Sequence, residues 1–218
     1  YQQDPSATGL PAIEPRHFAL APWSLNFDRP VVMSIDTGEA LGLRNSYSVI
    51  QVWQVAPDRY ILADQRRDQV AYGALRSACK TLIGRHRPAV VLIERAGSGR
   101  ALLSDLAKYR SLELIDVVPR ESKLERLRAQ IDVILGKKIA LPADAPWRHS
   151  FVAEFVEFPL LGTDQVDATT QFLEFMAAEP VLRPRSKPER AVVVLGSRPP
   201  VPMNNTSVCA YVRGRKLW

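Results

Sequence analysis

Apolar residues form short strand-like runs in the first half of the chain and recur at helical spacing in the second. Val31–Asp36 is a β-branched apolar run ending in Asp-Thr-Gly, which predicts a buried strand whose carboxyl end opens into a turn. Tyr47–Ala56 alternates around Val49, Val52 and Val55, and Arg59–Asp64 follows a Pro-Asp turn, so an antiparallel hairpin is expected. Asp68 is placed to cap a helix through Arg85, with Val70, Ala74, Ala78, Leu82 and Ile83 inward, and Pro88 stops it. Ala89–Glu94 reads as a second buried strand, Gly97-Ser98-Gly99 as a turn, Ala101–Tyr109 as a helix and Leu112–Val118 as a third strand. Ser122–Gly136 is predicted as one amphipathic helix, with Leu124, Leu127, Ile131 and Ile134 inward and Lys123, Arg126 and Arg128 outward. A short strand at Ile139–Pro142 and helices over Trp147–Phe155 and Asp164–Met176 complete the pattern. The βαβαβ order implies parallel pairing with right-handed crossovers, and the opening hairpin makes the sheet mixed. The class is α/β.

The two ends read differently. Residues 1–30 are Pro-rich and weakly periodic, which predicts an extended lead-in, and the missing initiator Met points to a piece of a longer protein. From Pro180 to Pro202 six prolines crowd together, a linker-like composition, although Ala191–Leu195 and Ser207–Arg213 have strand character.

Composition narrows the class. At 218 residues, 46% hydrophobic and 24% charged, the chain is long enough for one sizeable core, which excludes disorder throughout, collagen and a coiled-coil rod. No apolar run approaches the roughly 20 residues that span a bilayer, and no signal peptide is evident, so the cytosol is the expected compartment. Cys79 and Cys209 are too few for a disulfide framework or a cysteine zinc site. The net charge of +6 favours a polyanionic partner, and its excess lies after Arg183, where eight Lys/Arg face one acid, Glu189.

Three acidic positions carry candidate chemistry. Asp36 ends the first strand, Glu94 ends the strand after the long helix, and Asp164 with Asp167 opens the last helix. In an open α/β sheet, ligands gather beyond the carboxyl ends of the strands. Parallel neighbours would bring Asp36 and Glu94 to about 5 Å, and the last helix needs only to start there to add a third acid. Carboxylates clustered without a basic partner repel one another. Hard divalent ions such as Mg²⁺ or Mn²⁺ relieve that repulsion through oxygen ligands, and two of them about 4 Å apart clamp a phosphodiester. Plainer roles fit each residue singly: Asp36 as a turn former, Glu94 paired with Arg95 or Arg100, Asp164 as a helix cap. His17, His86 and His149 lie outside these motifs, which argues against a histidine-centred mechanism.

With "VVMSIDTG", "VVLIERAGSGRALLSDL" and "GTDQVDATTQFLEF" in this order, the chain resembles the C-terminal nuclease domain of bacteriophage terminase large subunits. The likeness covers most of Tyr1–Met176 and includes "SKLERLRAQIDVILGKKIALP". It implies an RNase H-like fold, a central mixed sheet flanked by helices, with a two-metal acidic site. Asp36, Glu94 and Asp164 match the catalytic metal ligands, and Asp167 a further acid one turn on. Where the family often carries Asp-Asp, this chain has Thr163-Asp164. Arg95, Arg100, Lys123, Arg126, Lys137 and Lys138 are candidates for contacts to DNA phosphates beside the site. The resemblance divides the chain into a lead-in (1–30) from an ATPase domain, a nuclease domain (31–180) and a basic Pro-rich segment (181–218). It implies double-stranded DNA, an ATPase domain, a small terminase subunit and a portal as partners. A monomeric isolated domain, the cytoplasm of the infected host and no membrane association follow from it too. No Gly-rich phosphate loop of the G-x-x-x-x-G-K-[ST] type occurs, so ATP hydrolysis is not expected of this chain. A junction resolvase or RNA–DNA hybrid nuclease with the same acids, an actin-like ATPase built on "DTG", and a non-catalytic docking module are the alternatives.

Overall fold

In the computed structural model, residues 9–22, 26, 28–38, 47–109 and 112–178 are described. Among them, the strands are β1 (Ala19–Ala21), β2 (Val31–Asp36), β3 (Ser48–Val55), β4 (Tyr60–Asp68), β5 (Val90–Glu94), β6 (Glu113–Val117) and β7 (Ile139–Pro142). The helices are α1 (Tyr72–His86), α2 (Gly99–Leu106), α3 (Lys123–Ala129), α4 (Ile131–Leu135), α5 (Arg148–Val156) and α6 (Asp164–Ala178). The strands form one mixed sheet in the order β1-β7-β4-β3-β2-β5-β6. β2–β3 and β3–β4 pair antiparallel, whereas β2–β5, β5–β6, β4–β7 and β1–β7 pair parallel. The expected mixed α/β sheet is present.

Period-two alternation sorts the sheet into two faces. Val31, Met33 and Ile35 of β2, with Val91 and Ile93 of β5, join Leu75, Cys79, Leu82, Leu102 and Leu106 from α1 and α2. Val32, Val90 and Leu92 point the other way, into a core with Leu127, Ile134, Phe151, Phe155, Val166 and Phe172 from α3 to α6. Trp53 stacks on Phe172 with centroids 4.5 Å apart and planes 2° from parallel, fixing α6 to the sheet. Burial pushes the Cys79 thiol up to about 12, so it behaves as a small apolar core residue.

Three local expectations need correction. Asp68 does not cap a helix: β4 runs on to pair it with Ser48, α1 starts at Tyr72, and Val70 and Ala74 are exposed. Ladder hydrogen bonds outcompete a cap that would have stood two residues too early. The helix over Ser122–Gly136 breaks at Gln130 into α3 and α4, and Arg126 turns inward, 7% exposed. The described part of the lead-in also packs: Leu10, Ile13 and Phe18 enter the core, Phe18 edge-on to Phe151 and Phe155, and β1 pairs with β7. The segment 181–218, with its two strand-like runs and Cys209, lies outside the described residues. No described helix is long and apolar enough to cross a membrane.

Glycine substitutions test this packing. A Cβ on Gly99 would stand 1.8 Å from the Glu94 carbonyl oxygen, whereas Gly73 and Gly84 on α1 have open space. Gly99→Ala should therefore destabilise by about 1–3 kcal/mol. Gly73→Ala and Gly84→Ala should each stabilise by about 0.5–1 kcal/mol, as helix propensity alone dictates. Urea unfolding of the three variants checks the sign at each position.

Candidate active site

Strand register brings the first two acids together. β2 and β5 run parallel with Ile35 opposite Ile93, so Asp36 and Glu94 stand one step further on, at the same level. Both continue the face of Val32, Val90 and Leu92, toward α6. Thr37 Oγ1 donates to the Ala96 carbonyl at 2.8 Å, tying the two strand-end loops together. Polar contacts within the core set α6 across the strands. Ser34 Oγ donates to the Ala168 carbonyl at 2.7 Å, Gln171 Nε2 donates to Ser34 Oγ at 2.9 Å, and Gln51 Nε2 donates to the Gln165 carbonyl at 3.1 Å. The first turn of α6, with Asp164 and Asp167, thus arrives over the ends of β2 and β5.

Glu154 secures that first turn, and the sequence reading missed it. Its side chain is 2% exposed and accepts from the backbone N–H groups of Gln165 (2.6 Å) and Val166 (3.3 Å) and from Gln165 Nε2 (2.5 Å). The start of α6 is capped by a carboxylate from α5 in place of a residue of its own. Arg67 lies 3.6 Å away as counter-ion and covers the Tyr47 ring. Gln65 Nε2 donates to Gln165 Oε1 at 2.7 Å, extending the network into the sheet. The available signal was a Glu on the apolar face of "FVAEFVEF", together with Gln51 and Gln65 on buried strand positions.

The acids are not alone, contrary to expectation. Arg126 Nη2 is 2.8 Å from Asp167 Oδ1 and its Nη1 3.9 Å from Glu94 Oε2. Lys123 Nζ contacts Asp167 Oδ2 and donates to Thr163 Oγ1 at 2.6 Å. Among the described residues, no three carboxylates are placed to hold one ion as they stand. Charge still accumulates. Burial, then the charges of Glu94, Asp167 and Asp164, hold the Asp36 carboxyl well above its ordinary value. Burial also raises Glu94 and Asp164, against the lowering pull of Arg126 on Glu94 and of Lys123 on both. Lys123 is raised despite its burial, because Asp167, Asp36 and Asp164 favour the ammonium.

The other basic candidates scatter. Arg95 pairs with Asp116, and Arg100 is exposed; both lie on the loop past Glu94, at the acidic end of the sheet. Lys137 and Lys138 precede β7, which runs parallel to β4, so they sit at the opposite end of the sheet from Asp36 and Glu94. They are not beside the acids. The histidines with assigned contacts are structural: His86 Nε2 meets Asp64 at 2.7 Å, and His17 Nδ1 accepts from the Glu14 N–H at 3.0 Å.

The family described as Terminase RNaseH-like domain matches residues 33–175, the span from β2 to α6 that carries all four acids. The chain belongs to this family. Solved structures share the RNase H-like fold. A full-length large terminase from a thermophilic bacteriophage is 12% identical, with a TM-score of 0.55 over 73% of this chain and 43% of that one. The large terminase nuclease of thermophilic phage G20c with bound zinc is 16% identical, with a TM-score of 0.56 over 72% and 93% of the two chains. The Thermus phage P74-26 large terminase nuclease domain is 13% identical, with a TM-score of 0.53 over 72% and 90%. No curated protein matches. The chain spans less than half the length of the first of these large terminases.

Two outcomes follow from the electrostatics. Glu154→Ala should cost about 3 kcal/mol, because it leaves buried N–H groups and Arg67 unpaired, and denaturant titration measures it. A folded carboxyl raised above its unfolded value contributes stability in acid that is lost as pH rises through the folded value. Asp36→Asn should therefore raise Tm at pH 7 in EDTA. Its advantage over the wild type should shrink to nothing below about pH 4, where the unfolded carboxyl is protonated too.

Proposed function

We infer that the chain is a divalent-metal-dependent endonuclease that cuts double-stranded DNA during phage genome packaging. The observation that carries this reading is the meeting of Asp36 and Glu94, from adjacent parallel strand ends, with Asp164 and Asp167 from α6. Four carboxylates offer only oxygen ligands, which suits Mg²⁺ or Mn²⁺. Asp36 has no cation partner of its own among the described residues, and its raised carboxyl marks negative charge that Lys123 and Arg126 leave uncancelled. The donor set therefore fits a metal, with Asp36, Glu94, Asp164 and Asp167 holding it, two ions by the family resemblance. Large terminase nucleases of phage G20c are described with bound zinc, magnesium and cobalt, which supports the same reading. Bound there, such ions supply an activated water and neutralise the departing oxygen of the phosphodiester.

The chain's own residues do the positioning. The β2–β5 ladder holds Asp36 and Glu94 level, and Glu154 fixes the turn bearing Asp164 and Asp167. Arg95 and Arg100 offer guanidinium groups to the DNA backbone at the same sheet end. Cutting at arbitrary sequence needs no base readout, so binding should be salt-sensitive and sequence-tolerant. The division into 1–30, 31–180 and 181–218, a monomeric isolated domain, the host cytoplasm, and an ATPase domain, small subunit and portal as partners belong to this reading.

The ion pairs made by Lys123 and Arg126 favour a second reading, a docking module whose acids only support the fold. Activity separates the two. The chain should nick or linearise plasmid with Mn²⁺ or Mg²⁺, stop in EDTA, and lose detectable cutting in Asp36→Asn. Undiminished cutting in EDTA, or in that variant, overturns the metal assignment. Preference for a four-way junction or an RNA–DNA hybrid over duplex would move the substrate class.

A further inference from the structure

Two cations meet the acids, and they differ in kind. Arg126 is 7% exposed and shares its guanidinium between Asp167 and Glu94, so it is built into the core. The Lys123 side chain is 50% exposed, and its ammonium contacts Asp167 Oδ2 and Thr163 Oγ1 from the solvent side. Its backbone does not need to move for the ammonium to leave. Lys123 is the first residue of α3, and the box formed by Ser122 and Glu125 pins that helix start: Ser122 N donates to Glu125 Oε2 at 2.9 Å, and Glu125 N donates to Ser122 Oγ at 3.3 Å. Only a flexible four-carbon stem has to swing.

The helix itself does not favour a cation there, because the first turn of α3 presents the positive end of its dipole. The carboxylates hold the ammonium in place. Its charge acts on Asp36, Glu94 and Asp164 as well as on Asp167, so it stands central to all four. A compact monovalent charge surrounded by carboxylates and a hydroxyl occupies the place a small cation would take.

We propose that Lys123 is a displaceable counter-ion: its ammonium fills the cation position among the acids at rest, and a divalent ion enters by expelling it from Asp167 and Thr163. This rests on the metal reading above. Arg126 stays in both states. Lys123 then sets how tightly the resting site takes metal, because each binding event must break its ion pair.

Calorimetric titration of the full chain with MnCl₂, without DNA, tests this in the wild type, Lys123→Gln, Lys123→Arg and Asp36→Asn. Lys123→Gln should bind Mn²⁺ about 10-fold tighter or more, since one opposing charge at contact distance is removed. Its Tm in EDTA should fall, because the acids lose a counter-ion, and Mn²⁺ should raise that Tm further than in the wild type. Lys123→Arg keeps the charge and should bind Mn²⁺ no tighter than the wild type. If Lys123→Gln binds with wild-type or weaker affinity while Asp36→Asn abolishes the heat, the metal site stands and displacement is overturned. A Lys123→Arg variant as tight as Lys123→Gln overturns it as well. If neither the wild type nor Lys123→Gln takes up Mn²⁺, the metal reading itself falls.

Discussion

Negative charge gathered out of water at the carboxyl ends of β2 and β5 is the constraint around which the rest is arranged. Parallel pairing puts Asp36 and Glu94 side by side, and the Trp53–Phe172 stack with the Ser34 and Gln51 contacts brings α6 down over them. The packing that makes the fold therefore forces like charges together. Burial alone lifts the carboxyls, and their mutual repulsion adds to it for Asp36. The chain answers with a buried guanidinium beneath the acids and an ammonium reaching in from the side. Such an arrangement trades stability for capacity, as expected where strain or unbalanced charge is kept for use.

The strands were legible because their chemistry is local. "VVMSID" and "VVLIE" have one composition throughout, a charge at the end and no competing period, and both fold as read. The acids at their ends were legible for the same reason. Pairing was legible one level up, since a βαβ unit leaves little choice of register once both strands are buried. Asp68 shows the limit. Its side chain fits a helix cap, yet the β3 ladder reaches far enough to claim it, and only the partner strand decides that.

What escaped was contact between distant positions. Arg126 sits where a regular amphipathic helix would expose it; the acids of β5 and α6 draw it inward, and helical periodicity carries no trace of them. Glu154 serves a helix that begins ten residues after it. Charge alone groups Lys137 and Lys138 with the site, and strand direction carries them to the far end. Charge pattern identifies which residues matter electrostatically. It does not reveal which of them face one another.

The cap lent by α5 to α6 has a consequence for the order of assembly. A helix that supplies its own N-terminal acceptor can form its first turn as an autonomous local event. Here that turn has no acceptor until α5 has docked against the sheet, so it belongs to the late, non-local part of folding. The nascent chain would build its scaffold first and bring its most charged corner together last, when most of the enclosing surface already exists. Crowding of carboxylates is thereby deferred to a stage at which packing energy is available to oppose it.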